Sequence, residues 1–341
     1  MSSEIDPHQA WLDLVCEEPI DPQQPIVDAH HHLWEDFGLG RYTLDDFQRD
    51  TGSGHNIVKT VFIECGVAYH QDGPEHLRPV GETAFATAMA EESRKGTTGH
   101  SSIAGIVAHT DLRLQSSQLE EVLAAHRETG KGLFRGIRQA LVRVPEGAAL
   151  QVPEEIQAPL NLYSDQKFRE GVALLGRRGY TYESWHYHTQ LPQFLELARA
   201  VPDSIMILNH LGHPIGVDRW AGKRDEVYAQ WKLDIATIAR CDNVYIKLGG
   251  MAMPDNGWGW HEAERPPTSD EFAQAQEPWY LHAIECFGPE RCMFESNFPV
   301  DRLSLSYQVY WNGVKKIVTR FSDSEKNSLF YGTASQVYAL D

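Results

Sequence analysis

Residues 179–210 read GYTYESWHYHTQLPQFLELARAVPDSIMILNH, and this stretch contains the pattern that decides the fold. A β-rich run at 179–185 is followed by a segment of helical periodicity at 191–200, and an apolar run follows at 204–210. A strand, a helix and a second strand in this order are typical of a parallel sheet whose strands are joined by helices.

The same alternation recurs along the whole chain. It gives eight candidate strands, at 25–30, 57–64, 103–109, 133–139, 179–185, 204–210, 243–248 and 291–296. Helical periodicity is found between or after them, at 80–95, 118–129, 168–177, 191–200, 226–239, 277–287 and 306–321. The apolar runs are nearly continuous, as expected for strands buried on both faces. We therefore predict an α/β fold, a (β/α)8 barrel formed as one domain by residues 25–341, after an N-terminal extension at 1–24. A long loop is expected at 254–268.

Composition excludes several classes of protein. The chain of 341 residues has 30 Lys and Arg against 48 Asp and Glu, a net charge of −18, which disfavours binding to nucleic acid. The first 18 residues are acidic and lack the apolar core of a secretory signal, and no apolar run is long enough for a membrane span. A cytoplasmic enzyme with a small-molecule substrate, and no membrane partner, is expected.

The end of the first strand carries the first chemical signal. Residues 28–34 read DAHHHLW, and side chains alternate along a strand, so His30 and His32 face one side and His31 the other. Two imidazoles on one face suit a metal ion, although a pair of structural histidines gives the same pattern. Other strand ends carry ligand-type residues too, namely Glu64, His186, His188 and His210. Because strand ends converge at one mouth of a barrel, a metal site is predicted there.

These motifs carry a resemblance. PIVDAHHHLWE, FRGIRQAL, HTQLPQFLELARAVPDSIMILNHLGHP, NVYIKLGGM and FESNFPVDR occur in this order over residues 25–338. Together they resemble the amidohydrolase superfamily, in particular its amidohydrolase 2 branch of lactonase-like and decarboxylase-like enzymes. The resemblance implies a TIM barrel with metal ligands His30, His32 and His210, and a strand-five ligand at His188 or, in competition, His186.

The resemblance breaks at strand eight. Where many members have an aspartate, this chain has Asn297, and an amide cannot hold the proton of a metal-bound water. Either another carboxylate serves as the base, with Glu64, Glu295 and Asp301 as the candidates, or the chemistry has changed. Glu64 is also a candidate metal ligand, because a carboxylate that ends an apolar strand needs a partner.

The resemblance also implies the type of activity. The leading expectation is a metal-dependent hydrolase of a small lactone or related carboxylated substrate, with a divalent metal that is zinc, iron or manganese, in one or two copies. Arg138 matches the strand-four arginine that binds a substrate carboxylate, and Trp185 and His186 are further candidates for substrate binding. The alternatives are a dinuclear iron or manganese monooxygenase, a decarboxylase, and a non-catalytic subunit. Homo-oligomers, or complexes with a related barrel, are expected from the family.

Overall fold

The computed structural model describes residues 6–95, 101–150 and 152–340. Eight parallel strands follow one another around the sheet in chain order. They are β1 (Pro25–His31), β2 (Asn56–Ile63), β3 (Ser102–Ala108), β4 (Phe134–Arg138), β5 (Thr181–Ser184), β6 (Met206–Leu208), β7 (Val244–Leu248) and β8 (Cys292–Phe294). Each predicted strand overlaps an observed one, and the predicted (β/α)8 barrel is confirmed.

Residues at the end of β1 and just after β8 close the barrel. The His32 amide donates to the Phe298 carbonyl at 2.8 Å, and the Asn297 amide donates to the His30 carbonyl at 3.0 Å. These bonds hold the histidine-bearing end of β1 beside the residues that follow β8. Candidate residues from opposite ends of the chain are thereby neighbours.

Helices cover the outside of the sheet. They are α1 (Pro7–Leu12), α2 (Leu44–Thr51), α3 (Val80–Ser93), α4 (Ser116–Thr129), α5 (Gln166–Arg177), α6 (Leu191–Ala200), α7 (Arg224–Ile238), α8 (Ser269–Phe287), α9 (Tyr307–Ile317), α10 (Asp323–Asn327) and α11 (Thr333–Val337). Within the described part of the chain, no helix is long and apolar enough to cross a membrane. The predicted loop at 254–268 lies between β7 and α8 and contains two short 3-10 turns.

Helix α8 begins eight residues earlier than the predicted start at 277. Its N-terminus is fixed by Thr268, whose hydroxyl accepts from the Glu271 amide while the Glu271 carboxylate accepts in return. Pro278 lies inside this helix. Proline favours the first turn of a helix, so a helix that starts at 277 was consistent with the sequence. These reciprocal hydrogen bonds between Thr268 and Glu271, a capping box, fix the start of α8 at Ser269.

The interior of the barrel is filled from two sources. Alternate residues of the strands point inward, namely Val27, Ala29, Val61, Ile63, Val107, Ile207 and Met293. Tyr338 and Leu340 from the C-terminal segment pack among them. The Leu340 carbonyl accepts from Lys59 Nζ at 2.9 Å, and its side chain meets Gly105, so this segment enters where the strands begin. The end where the strands finish is left for the site.

The segment before β1 packs on the outside of the barrel. The Glu17 carboxylate accepts from the Ser269 amide at 2.8 Å and from Asn312 Nδ2 at 2.9 Å, which joins it to α8 and α9. Lys315 of α9 donates to the Ile20 carbonyl at 2.9 Å. These bonds hold the segment against the helix layer on the approach to β1.

Candidate metal centre

His30 and His32 lie together at the mouth of the barrel, and His31 points away from them. The His31 ring stacks on Phe47 of α2 at 4.0 Å, as expected from the alternation of side chains along a strand. The Nε2 atoms of His30 and His32 are 3.1 Å apart. His32 Nδ1 lies 2.8 Å from the Ile63 carbonyl, which can only accept, so Nδ1 carries the proton and Nε2 keeps its lone pair.

Glu295 connects the ends of β1, β6 and β8. Its Oε1 atom accepts from the backbone amide of His210 at 2.9 Å and lies 2.7 Å from His210 Nδ1. Its Oε2 atom lies 2.7 Å from His30 Nδ1. All three side chains are buried. One carboxylate therefore touches the two histidines that come from strands on different sides of the barrel.

Two glycines after β7 make room for this arrangement. A Cβ atom at Gly249 would lie 2.0 Å from the Glu295 carbonyl oxygen, and one at Gly250 would lie 2.2 Å from His210 Nδ1. His210 itself has a left-handed backbone, with φ of 55°, which is strained for a residue with a side chain. The close approach of β7 and the strained turn at His210 together bring its imidazole to Glu295.

These residues fit a divalent metal ion. The ligand atoms of His30, His210 and Glu295 all lie within 4.8 Å of one another. His30 Nδ1 and Glu295 Oε2 are close, but they are not aligned as a hydrogen bond, and this oxygen has no hydrogen-bond partner among the described residues. A cation beside the two lone pairs would satisfy both atoms. Two histidines and one glutamate are a ligand set of catalytic zinc sites, which keep a fourth position open.

The protonation states of the three histidines agree with this fit. Burial lowers the pKa of His30, His32 and His210 well below its ordinary value, and the cationic side chains nearby lower it further. The imidazoles are therefore neutral, which is the form that binds metals. Burial also raises the pKa of Glu295 to about 8, so its carboxyl group can hold a proton near neutral pH.

Glu64 and Arg138 form a buried ion pair beside this group. Arg138 Nε donates to Glu64 Oε1 at 2.7 Å, and Arg138 Nη2 also contacts the Glu64 carbonyl. A third nitrogen, Nη1, lies 3.3 Å from His30 Nε2. Glu64 therefore has a guanidinium partner and lies outside the group of three ligand residues. Arg138 points into the barrel and reaches His30.

Asn297 and Asp301 form a separate pair after β8. Asn297 Nδ2 donates to Asp301 Oδ1 at 2.9 Å, and the Ala252 amide donates to Oδ2 at 3.1 Å. Both side chains are buried, and burial raises the pKa of Asp301 to about 8. The amide at position 297 is thus held by a carboxyl group four residues further along the chain.

The three remaining candidates lie on or after β5, apart from the group around Glu295. His188 Nδ1 accepts from the Ile215 amide at 3.2 Å, and its ring faces Trp220 beside a cavity of about 370 Å³. His186 Nδ1 lies 2.6 Å from the Tyr163 hydroxyl, and burial lowers its pKa to about 3. Trp185 Nε1 donates to His213 Nδ1 at 2.8 Å.

Two inward-facing charged residues were missed by the sequence analysis. Lys247 on β7 donates to Glu183 on β5 at 2.7 Å, and its Nζ atom lies 3.4 Å from His30 Nδ1. Both residues of the pair are fully buried. The sequence does contain a signal for Lys247, which is an ionisable residue inside the apolar strand VYIKL. A charge buried in such a strand needs a partner.

Comparisons with known proteins identify a family and relatives of this chain. A family model described as amidohydrolase matches residues 27–340. The protein y4mH of Sinorhizobium fredii is 32% identical over 339 residues, which cover 92% of this chain and 98% of that protein. An L-fucono-1,5-lactonase of Burkholderia multivorans is 26% identical over 326 residues, which cover 92% of this chain and 96% of the lactonase.

A solved structure extends the similarity to three dimensions. The crystal structure of an amidohydrolase from Burkholderia multivorans with bound zinc aligns with a TM-score of 0.70 at 25% identity. The alignment covers 93% of this chain and 99% of the crystallised one.

Proposed function

The chain belongs to the amidohydrolase family and is a metal-dependent hydrolase, and on this premise we propose that it opens a small lactone of the sugar-acid type. The observation that carries the proposal is the contact of Glu295 with both His30 and His210. A relative of similar length is named as a lactonase, which supports a cyclic ester as the substrate.

In this proposal the histidines hold the ion, and Glu295, which the ligand set could also include, serves instead as the base beside them. A divalent ion held there would polarise the ester carbonyl and lower the pKa of the attacking water. Glu295 Oε1 is fixed by His210, whereas Oε2 has no hydrogen-bond partner in the described part of the chain. We assign to Oε2 the proton of the attacking water, because Asn297 cannot accept it.

The reaction then balances without a further reagent. The water oxygen forms a bond to the carbonyl carbon, the bond from that carbon to the ring oxygen breaks, and Glu295 returns the proton to the ring oxygen. The product is an open-chain hydroxy acid, which releases a proton at neutral pH. Burial of Glu295, which raises its pKa to about 8, suits a group that takes up and returns a proton in this range.

A single-metal site is the simpler assignment for this chain. The dinuclear alternative needs Glu64 as a ligand, and the Glu64 carboxylate is instead paired with Arg138 at 2.7 Å. Arg138 is thereby held at the mouth with one nitrogen 3.3 Å from His30 Nε2. We propose that this fixed cation faces the bound substrate.

The test is hydrolysis of L-fucono-1,5-lactone, followed with a pH indicator and corrected for spontaneous ring opening. The chain should accelerate the reaction, a chelator should stop it, and zinc should restore it. Glu295→Gln should lower kcat by about 10²–10⁴-fold. Glu290→Gln, at an exposed glutamate beside β8, is the matched control and should retain the full rate.

Two results would overturn the proposal. One is the absence of enzyme-dependent hydrolysis across five- and six-membered sugar lactones by metal-loaded protein. The other is a rate that is the same with Glu295→Gln as with Glu290→Gln.

A further inference from the structure

His109 and Glu64 lie side by side at the mouth of the barrel. Glu64 directly follows β2, and His109 directly follows the neighbouring strand β3. The carboxyl ends of the strands are where barrel enzymes bind their substrates. The proposed hydrolysis uses neither the imidazole of His109 nor the second carboxylate oxygen of Glu64.

The His109 ring is held in one orientation and one tautomer. Its Nδ1 atom lies 3.1 Å from the Arg138 carbonyl, which can only accept, so Nδ1 carries the proton of the neutral ring and Nε2 keeps its lone pair. The backbone is fixed as well, because the His109 carbonyl accepts from Nε2 of the buried His126 at 3.1 Å. The Tyr69 ring lies along the imidazole, with the two centroids 6.4 Å apart. The lone pair of His109 Nε2 therefore has a fixed direction.

Two hydrogen-bond acceptors at this place are unused. Nε2 of His109 has no hydrogen-bond partner in the described part of the chain. Glu64 Oε1 accepts from Arg138, whereas Oε2 accepts no hydrogen bond from the described residues and lies 4.0 Å from His109 Nδ1, beyond hydrogen-bonding distance. Neither acceptor is enclosed by protein, so a ligand at the mouth can reach both.

Acceptors without donors select a ligand that brings the donors. A carboxylate of the ligand would be repelled by Glu64 at this place, and the Arg138 guanidinium already balances the charge of Glu64, so no further cation is needed. A hydroxyl group is a neutral donor that suits both acceptors, and its hydrogen bond to a carboxylate is a strong one. Sugar lactones carry several hydroxyl groups on the ring.

We propose that His109 is a specificity-determining residue, whose Nε2 accepts a hydrogen bond from a hydroxyl group of the substrate beside the open oxygen of Glu64. The Arg138 guanidinium contacts both Glu64 Oε1, at 2.7 Å, and His30 Nε2, at 3.3 Å, so the two acceptors lie one guanidinium group away from the candidate metal centre. A lactone ring with its ester at that centre can therefore place a ring hydroxyl here. This inference rests on the proposed lactonase function and assigns to it a hydroxylated substrate.

Two substitutions separate the two nitrogens of the ring. His109→Asn places an amide near the position of Nδ1, which keeps a donor for the Arg138 carbonyl and removes the acceptor at Nε2. His109→Gln extends to the position of Nε2 and supplies an amide oxygen as the acceptor there. His261→Asn, on the loop after β7, is the matched control, because the side chain of His261 is 28% exposed and that of His109 is 29% exposed.

The measurement is kcat/KM for L-fucono-1,5-lactone and for δ-valerolactone, a six-membered lactone without hydroxyl groups. With L-fucono-1,5-lactone, His109→Asn should lower kcat/KM about 3–10-fold, mainly through a higher KM, because one hydrogen bond to the bound substrate is lost. With δ-valerolactone the same variant should leave kcat/KM unchanged. His109→Gln and His261→Asn should stay within about 2-fold of the wild type with both lactones.

Calorimetric titration with L-fuconate, the open-chain hydroxy acid, gives a readout that does not need turnover. The Kd should rise about 3–10-fold in His109→Asn and stay unchanged in His109→Gln. Unchanged binding in His109→Asn, an equal loss in His109→Gln, or an equal loss of kcat/KM with δ-valerolactone would overturn the inference. A wild type that binds L-fuconate with the expected pattern but opens no lactone would overturn the proposed reaction alone, and a wild type that does neither would overturn both proposals.

Discussion

The Asp28 carboxylate accepts two hydrogen bonds from Ser296, one from its backbone amide at 2.8 Å and one from its hydroxyl at 2.6 Å. Asp28 lies in β1 and Ser296 follows β8, so this contact joins the two edges of the sheet. The Tyr307 hydroxyl donates to the same carboxylate at 2.9 Å. Because His30 and Glu295 lie within two residues of this junction, it also sets the distance between them.

Asp28→Asn should therefore weaken the junction. An amide offers a single acceptor oxygen, and its NH₂ group would face donors that now bind the carboxylate. We expect the free energy of unfolding to fall by about 1–3 kcal/mol, measured by urea denaturation at pH 7.5. Asp45→Asn, at an exposed position of α2, is the control and should change it by less than about 0.5 kcal/mol. Equal effects of the two substitutions would contradict the role of Asp28 at the junction.

Gly250 and Gly259 provide a paired test of the site geometry. Both have a positive φ, 62° and 71°, but a Cβ at Gly250 would lie 2.2 Å from His210 Nδ1, whereas at Gly259 nothing lies within 4 Å. Gly250→Ala should displace His210 and abolish stoichiometric zinc binding. Gly259→Ala should cost only the strain of its backbone, about 1 kcal/mol, and keep the metal. Elemental analysis gives the zinc content per chain of both variants. Retained zinc in Gly250→Ala would remove His210 from the ligand set.

Much of the barrel was predictable because its signals are local. The strands are short runs of apolar residues such as VFI and VYI, and the helices between them have their own periodicity. The C-terminal region was not predicted, because α10 and α11 have five residues each and are defined by tertiary contacts. Tyr338, for example, lies inside the barrel against Glu183, which no local pattern reveals.

The candidate site, like the fold, was predictable only in part. Strand alternation was enough to place His30 and His32 on one face, and the barrel topology was enough to bring His210 and Glu295 to the same mouth. The partner of Glu64 could not be predicted, because its carboxylate suits a metal or a guanidinium equally well, and Arg138 lies 74 residues away in the chain. Such choices depend on three-dimensional proximity.

His126 predicts how stability changes with acid. It is fully buried between the Thr83 hydroxyl and the His109 carbonyl, and burial lowers its pKa from 6.5 to about 4. Between these values the unfolded chain binds a proton that the folded chain does not, so stability falls as the pH drops through this window.

From pH 7.5 to pH 5, His126→Gln should lose about 2 kcal/mol less unfolding free energy than the wild type, because the variant lacks this group. Urea denaturation at the two pH values gives the difference. His70→Gln, at an exposed histidine, should follow the wild type. If both variants lose as much as the wild type, the buried imidazole of His126 does not resist protonation.

Glu64→Ala decides between an ion-pair role and a ligand role for this carboxylate. Glu64 and Arg138 are buried and 2.7 Å apart, so removing the glutamate leaves the guanidinium without its partner. We expect the free energy of unfolding to fall by about 3–5 kcal/mol while the zinc content per chain is unchanged.

A surface pair gives the matched control for this variant. Glu91 and Lys131 are also 2.7 Å apart but exposed, so Glu91→Ala should lower the free energy of unfolding far less than Glu64→Ala does. Metal analysis and urea denaturation on both variants separate the two roles of Glu64. If Glu64→Ala lost one metal equivalent from a wild type that holds two, Glu64 would be a ligand, and the dinuclear oxygen-activating alternative would replace the single-metal hydrolase. Retention of all metal, together with the larger loss of stability, would assign Glu64 to holding Arg138 at the mouth of the barrel.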